Sequence, residues 1–274
     1  MKLIVVSKND TASLNISKNL LNLREWKDEG EFSGNPLRKS GDFLMATIND
    51  EHLSHDGLDR EFQESTGIEP EVMIFASRHK SASGLRSFTV HTPGNFSKAE
   101  MGGKGGELVP SSPLYKTNAL RNLKELAKNM DHTVSFEATH HGPYLETPAF
   151  YIEIGSDETS WVEEKAGRII GEAILSINQE KDPVAIGVGG GHYAPRHTDV
   201  ALKNRLCFGH IIANYALESI TEEMLGKAID MTPDAEYVYF HKKAMKKSQY
   251  REFKGWFEDR GLQAVSQKDI PSRL

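Results

Sequence analysis

The run Val184-Ala185-Ile186-Gly187-Val188 contains no polar side chain and ends at three consecutive glycines, Gly189-Gly190-Gly191. A strand with one wet face alternates apolar and polar residues, so an unbroken apolar run describes a strand covered on both faces, as in a sheet with helices above and below it. Other short apolar runs lie at 3–7, 43–48, 72–76, 88–91, 134–138 and 150–154, with helical patterns between several of them. After the first run, Lys8-Asn9-Asp10-Thr11 supplies capping residues before the periodic Leu14, Ile16, Leu20 and Leu21. The clearest helix is predicted over 160–177, where Ser160 and Glu163 make a capping-box pattern and Trp161, Ala166, Ile169, Ile170, Ala173 and Ile174 form the apolar stripe. A second is predicted over 114–129. This alternation predicts an α/β protein, a three-layer sandwich with a mixed central sheet flanked by helices.

A chain of 274 residues can bury one large core, and we expect a catalytic α/β domain over 1–233 with a basic appendage over 234–274 packed on it. That last segment opens with Tyr237-Val238-Tyr239-Phe240, which resembles a strand, and continues with Lys242, Lys243, Lys246, Lys247, Arg251 and Lys254. We read it as an addition to the sheet followed by an amphipathic helix with Tyr250, Phe253, Trp256 and Phe257 inward. No apolar run approaches the roughly 20 residues needed to span a bilayer, and the start of the chain is too quickly polar for a signal peptide. The expectation is a cytoplasmic protein, monomeric, with no membrane association and no obligatory protein partner. One cysteine, Cys207, excludes an intrachain disulfide and a cysteine-rich zinc site, and its apolar neighbours describe a buried structural thiol. The net charge of −6 argues against wrapping duplex nucleic acid over most of the surface, while leaving room for a local basic patch.

Two histidine-bearing loops follow core strands: Thr139-His140-His141-Gly142-Pro143 and Gly189-Gly190-Gly191-His192-Tyr193-Ala194-Pro195-Arg196-His197. Loops at the carboxyl ends of strands are where open α/β sheets bind ligands. Alternation along 134–141 predicts Glu137, Thr139 and His141 on one face and His140 on the other. The three glycines permit positive φ and let backbone amides approach an anion or a carbonyl oxygen. Imidazoles and a carboxylate suit Zn²⁺, although the spacings match no metalloprotease signature, and a histidine at a strand end is also often a hydrogen-bonded structural group.

The segment 94–108, with Lys98, Lys104 and Gly102-Gly103 and Gly105-Gly106, has the composition of a phosphate-cradling loop without the P-loop order, which disfavours a nucleoside triphosphatase. Its irregular surroundings, 92–113, form the longest such stretch, of the kind that is functional or mobile. Arg78 and Lys80 follow another strand and stand ready for an anion. Each of these also reads as a solvated, non-functional face.

Taken together, the N-terminal Lys2-Leu3-Ile4-Val5-Val6-Ser7-Lys8-Asn9-Asp10, the loop around Gly102-Gly103-Lys104-Gly105-Gly106-Glu107-Leu108, Glu137-Ala138-Thr139-His140-His141-Gly142-Pro143 and Gly189-Gly190-Gly191-His192-Tyr193-Ala194-Pro195-Arg196 resemble the archaeal and plant type of D-aminoacyl-tRNA deacylase. The resemblance implies hydrolysis of the ester between a D-amino acid and the tRNA 3′ end, zinc dependence, and a fold similar to phosphorylases and peptidyl-tRNA hydrolase. It leaves the role of each histidine open. We expect His140, His141, His192 and Glu137 to be catalytic, and His140, His192 and His197 to hold Zn²⁺. We expect Gly189, Gly190 and Gly191 to offer amides to the oxyanion, and Arg78, Lys80, Lys98, Lys104 and Arg196 to bind the tRNA substrate. The alternatives are a metal-dependent amidase or esterase of a small molecule, a non-catalytic tRNA-binding module, and a nucleoside phosphorylase.

Overall fold

The computed structural model describes residues 1–82 and 84–273. In chain order the elements are β1 (Lys2–Ser7), α1 (Thr11–Leu23), β2 (Lys27–Phe32), β3 (Asn35–Ser40), β4 (Phe43–Ile48), α2 (Leu58–Thr66), β5 (Val72–Lys80) and β6 (Ser87–His91). There follow α3 (Pro113–Leu126), β7 (Thr133–Phe136), β8 (Ala149–Ser156), α4 (Glu158–Trp161), α5 (Glu164–Leu175), β9 (Val184–Val188), α6 (Pro195–Lys203) and β10 (Cys207–Ile212). The chain finishes with α7 (Asn214–Leu217), α8 (Glu222–Asp230), β11 (Ala235–Phe240), α9 (Lys247–Glu258) and β12 (Gln263–Val265).

The α/β class holds, with a mixed eight-stranded sheet in the order β2-β3-β4-β1-β5-β8-β6-β7. Its centre, β4-β1-β5-β8, is parallel, and antiparallel pairs occur at β2/β3, β3/β4 and β6/β8. A second sheet, β10-β9-β11-β12, is wholly parallel. The sequence reading placed 134–138 and 184–188 without separating them into two sheets; β7 ends the first sheet and β9 lies inside the second. One large apolar cluster joins them, with Val90 and Phe136 of the first sheet, Ala185, Phe208 and Ile211 of the second, and Ala119 and Leu120 of α3.

The segment expected as an appendage supplies β11, hydrogen-bonded directly to β9, so 234–273 completes the second sheet rather than adding to the first; residue 274 lies outside the described residues. Phe253 and Phe257 of α9 are buried, while Tyr250 and Trp256 are partly so. The helix expected over 160–177 is two helices. Asp157, not Ser160, starts the first by accepting from the amides of Thr159 and Ser160, and the Asn15 side chain takes the carbonyls of Trp161 and Glu163 where the axis breaks. Asp10 caps α1 as the sequence predicts, accepting from Ser13 at 2.9 Å. Cys207 is buried, which pushes its thiol up to about 11 and makes it unreactive. No helix among the described residues is long and apolar enough to cross a membrane.

A histidine and glutamate cluster between the two sheets

β7 stops at Phe136, so the strand alternation expected through 141 does not continue. The chain turns instead toward the second sheet, where the Ala138 amide donates to His192 O at 2.8 Å and the Thr139 amide to Ile211 O at 2.9 Å. His141 takes a left-handed φ of 48°. The result puts Glu137 and His140 together, on opposite faces in the sequence reading, and brings the loop after β9 against both.

Glu137 is the centre. Its side chain is fully buried, and His192 Nε2 lies 2.9 Å from Oε2, His140 Nε2 3.5 Å from Oε2, and His79 Nδ1 3.1 Å from Oε1. Neither carboxylate oxygen receives a well-aligned hydrogen bond. Burial alone would raise this carboxyl, but the His192 imidazole 2.9 Å from Oε2 holds it below the ordinary range, so it is an anion. Glu153 lies behind it, with Oε2 accepting from Thr89 Oγ1 at 3.1 Å and 3.7 Å from both His79 and His91. Burial, with the Glu137 charge adding to it, drives Glu153 well above its ordinary value, so it carries a proton. Two carboxyl groups whose environments separate their protonation states mark a site built for proton handling.

The remaining histidines have a common arrangement. Nδ1 of His140 donates to Ala138 O at 2.8 Å, Nδ1 of His141 to Gly142 O at 2.7 Å, and Nδ1 of His91 to Thr92 O at 3.3 Å. This fixes each ring and leaves Nε2 without its hydrogen. Burial keeps all three neutral: His140 falls to about 4, and His91 and His141 fall well below the ordinary imidazole value. One nitrogen from each of His91, His140 and His141 lies within 4.8 Å of the others, as do single donor atoms of Glu137, His140 and His192, and of His79, Glu137 and Glu153. Rings held through Nδ1 by backbone carbonyls, each leaving Nε2 to serve as a ligand, are what a histidine-bound metal requires of its surroundings. His91 Nε2 is buried without a hydrogen bond, with Glu153 Oε2 3.7 Å from it.

His140 and His141 also form a wall of a cavity of about 340 Å³ whose other sides include Phe96, Lys98, Met101 and Tyr215. His192, with 34% of its side chain exposed, is the most open of the residues around Glu137. Tyr193, beside it, shares a 2.7 Å hydrogen bond with His79 Nε2.

Other expected residues sit elsewhere. His197 is fully buried beneath β9 against Phe208 and Tyr239, its Nε2 3.4 Å from Tyr239 O, and it joins none of the metal-capable groups. The periodicity of α6 turns it inward, and burial lowers it to about 3. Gly189 and Gly190 do adopt positive φ, at 91° and 97°, but their amides are already donated to Ile212 O and Asn214 Oδ1, so neither is free for an oxyanion. Gly191 follows them at the exposed side of the turn. The Arg78 guanidinium bonds Glu51 and Asn9 O and faces Trp161, which leaves it engaged inside the protein. Lys80 is exposed at the end of β5, Lys98 lines the 340 Å³ cavity, and Lys104 lies over the Tyr144 ring at 4.0 Å. Arg196 points away from the cluster, to Tyr239 and Gln267.

The glycine-rich loop, part of the stretch expected to be functional or mobile, is held down. Gly102 has φ 73° and a Cβ there would collide with Leu53 O, while Gly142 approaches the Gly103 amide so closely that no side chain fits between them. Gly142 N donates to Met101 O and Gly94 N to His141 O, fastening the loop to the second histidine motif. His79, His91, Glu153 and Tyr193 were not singled out by sequence. The available signal was a charged or ionisable residue inside an otherwise apolar strand, as in Tyr151-Ile152-Glu153-Ile154 and Phe88-Thr89-Val90-His91.

The family model for D-aminoacyl-tRNA deacylase matches residues 66–265. A D-aminoacyl-tRNA deacylase of Methanosarcina acetivorans is 40% identical over 97% of this chain and 92% of its own length. That of Thermococcus kodakarensis is 43% identical over 87% of this chain and 90% of its own. A Methanococcoides burtonii relative of the same name is 38% identical over 97% of this chain, which spans 57% of that longer protein. A crystal structure described as a conserved protein of unknown function superimposes with a TM-score of 0.92 at 35% identity, covering 100% of this chain and 98% of that one.

Proposed function

The chain belongs to the D-aminoacyl-tRNA deacylase family, and from that membership we propose that it is a hydrolase cleaving the ester between a D-amino acid and the 3′ end of tRNA, with the Glu137 cluster as its reaction centre. The observation that carries this assignment of the centre is the buried, ionised Glu137 with His192 at 2.9 Å on its open side. Its substrate would be met in the cytosol, where translation proceeds.

Ester hydrolysis needs a base for the attacking water, a donor for the departing ribose oxygen and relief of charge on the carbonyl oxygen. Glu137 orients His192 by holding a proton on Nε2, which leaves Nδ1 as the base. The accessible His192 ring takes a proton from the water that adds to the carbonyl and returns it to the ribose oxygen as its bond to that carbon breaks. Tyr193, His79 and protonated Glu153 keep Glu137 in place from behind. The amino acid side chain occupies the cavity between Phe96, Met101 and Tyr215, and Lys98 at its edge meets the phosphate of the terminal nucleotide.

Zinc fits this donor set. His91, His140 and His141 would hold it through Nε2, replacing the expected set in which His192 and His197 took part. Bound there, zinc supplies Lewis-acid polarisation of the ester carbonyl.

The test is hydrolysis of D-tyrosyl-tRNA and L-tyrosyl-tRNA by the purified protein and by His192→Ala. Turnover of the D-ester alone, lost in the variant, is expected. A folded wild-type protein that leaves both esters intact would sink the reading.

A further inference from the structure

A second cavity, of about 410 Å³, opens at the carboxyl ends of β11 and β12. Arg196, His241, Lys242, Lys243 and Lys268 line it, and none of the described residues on its walls is a carboxylate, on a chain whose net charge is −6. Such a concentration of one sign is not a solvated face of mixed charge. Two acids next to its lining residues in sequence or contact are occupied: Asp199 pairs with Lys203 and Arg196, and Asp269 accepts from the amide and hydroxyl of Ser266. Arg196 is oriented by Tyr239 Oη at 3.0 Å and Gln267 Oε1 at 2.7 Å, so its fork is held at the cavity wall rather than free to wander. His241 Nδ1 is buried without a hydrogen bond and lies under the Gly190 turn.

We propose that this cavity is a docking site for a backbone phosphodiester of the RNA substrate, separate from the reaction centre; the proposal rests on the deacylase reading. Phosphate chemistry follows from three ammonium groups, Lys242, Lys243 and Lys268, on a wall without a carboxylate, beside a guanidinium whose charge Asp199 already shares. A polymer is favoured over a free phosphate by continuity. Arg196 stands in the first turn of α6, four residues after His192, so the cavity it borders is joined in sequence to the reaction centre. Exposed Lys246, Lys247 and Arg251 extend the basic surface beyond the cavity.

The experiment is calorimetric titration of the full-length protein with an uncharged acceptor-stem minihelix ending in CCA, and separately with inorganic phosphate, across a salt series. Wild type is compared with the double variant Lys242→Ala, Lys268→Ala. Both lysines are exposed, and a thermal melt confirms that the variant folds. We expect the variant to bind the minihelix about tenfold more weakly, with the slope of log affinity against log salt shallower by about one for each lysine. Unchanged minihelix affinity overturns the proposal. So does loss of inorganic phosphate binding with minihelix binding intact, which would make the cavity a free-anion site. Because no ester is turned over, these results are independent of whether the protein hydrolyses D-aminoacyl-tRNA.

Discussion

The Glu137 carboxylate and the His192 imidazole stand 2.9 Å apart, Oε2 to Nε2, although Glu137 follows the edge strand of the mixed sheet and His192 follows an inner strand of the parallel one. The backbone bond from Ala138 N to His192 O ties the same two loops, so the pair does not depend on side-chain chance. A buried carboxylate with no aligned donor is costly to keep charged, and its retention points to use rather than stability. Glu137→Gln keeps the volume and removes the charge. We expect kcat for D-tyrosyl-tRNA to fall by about 10² to 10⁴ while the melting temperature holds or rises. A variant that melts several degrees lower and still turns over at the wild-type rate would make Glu137 a structural group.

The proposed zinc ligands can be separated from the proton-handling pair. His91→Gln removes one of the three proposed ligand rings, and the metal content of the purified variant, measured by mass spectrometry, should drop below that of the wild type. His192→Ala should retain its metal and lose turnover. Reversal of the two results would move the metal to Glu137, His140 and His192. Chelation should abolish turnover without unfolding, because backbone carbonyls and the apolar core already hold the three rings.

The two histidine motifs were legible because their glycines and prolines end apolar strands, and the structure brings His140, His141 and His192 together with Glu137. What could not be read was the pairing of strands. His79 and His91 enter from β5 and β6, and only the order β5-β8-β6 places them on either side of Glu153. The second sheet was obscured for the same reason: 207–212 contains Gly209 and His210, which interrupt the apolar run, and nothing local shows that 235–240 pairs with 184–188. The glycine turn misled in the other direction. Positive φ was correctly anticipated at Gly189 and Gly190, but the partners that use up their amides, Ile212 and Asn214, come from a later segment.

His197 was expected among the ligands because it lies close to His192 in sequence, and the structure gives it a packing role. Its ring fills the space beneath Gly187, where even a Cβ would collide with it, and contacts Phe208 and Tyr239. His197→Leu should therefore destabilise the fold by about 1 to 3 kcal/mol. At a temperature where the variant is folded, its metal content and kcat should match the wild type. Loss of metal from well-folded His197→Leu would return it to the ligand set.

The pH dependence of stability has a contribution outside the site. His55 lies 3.0 Å from the Asp50 carboxylate through Nδ1 and 2.7 Å from Glu61 Oε2 through Nε2. Partial burial lowers its affinity for a proton, but the hydrogen bonds to Glu61 and Asp50 outweigh that and leave it raised. A raised folded-state value means that the folded protein binds the proton more tightly than the unfolded chain does. The stabilisation is therefore complete below the unfolded imidazole value and is lost as pH rises through the folded one. His55→Gln should lower the melting temperature most near about pH 6, and the gap from wild type should narrow toward about pH 8 to 9. A gap that widens with pH would mean that His55 is held neutral, with its contacts acting as ordinary hydrogen bonds.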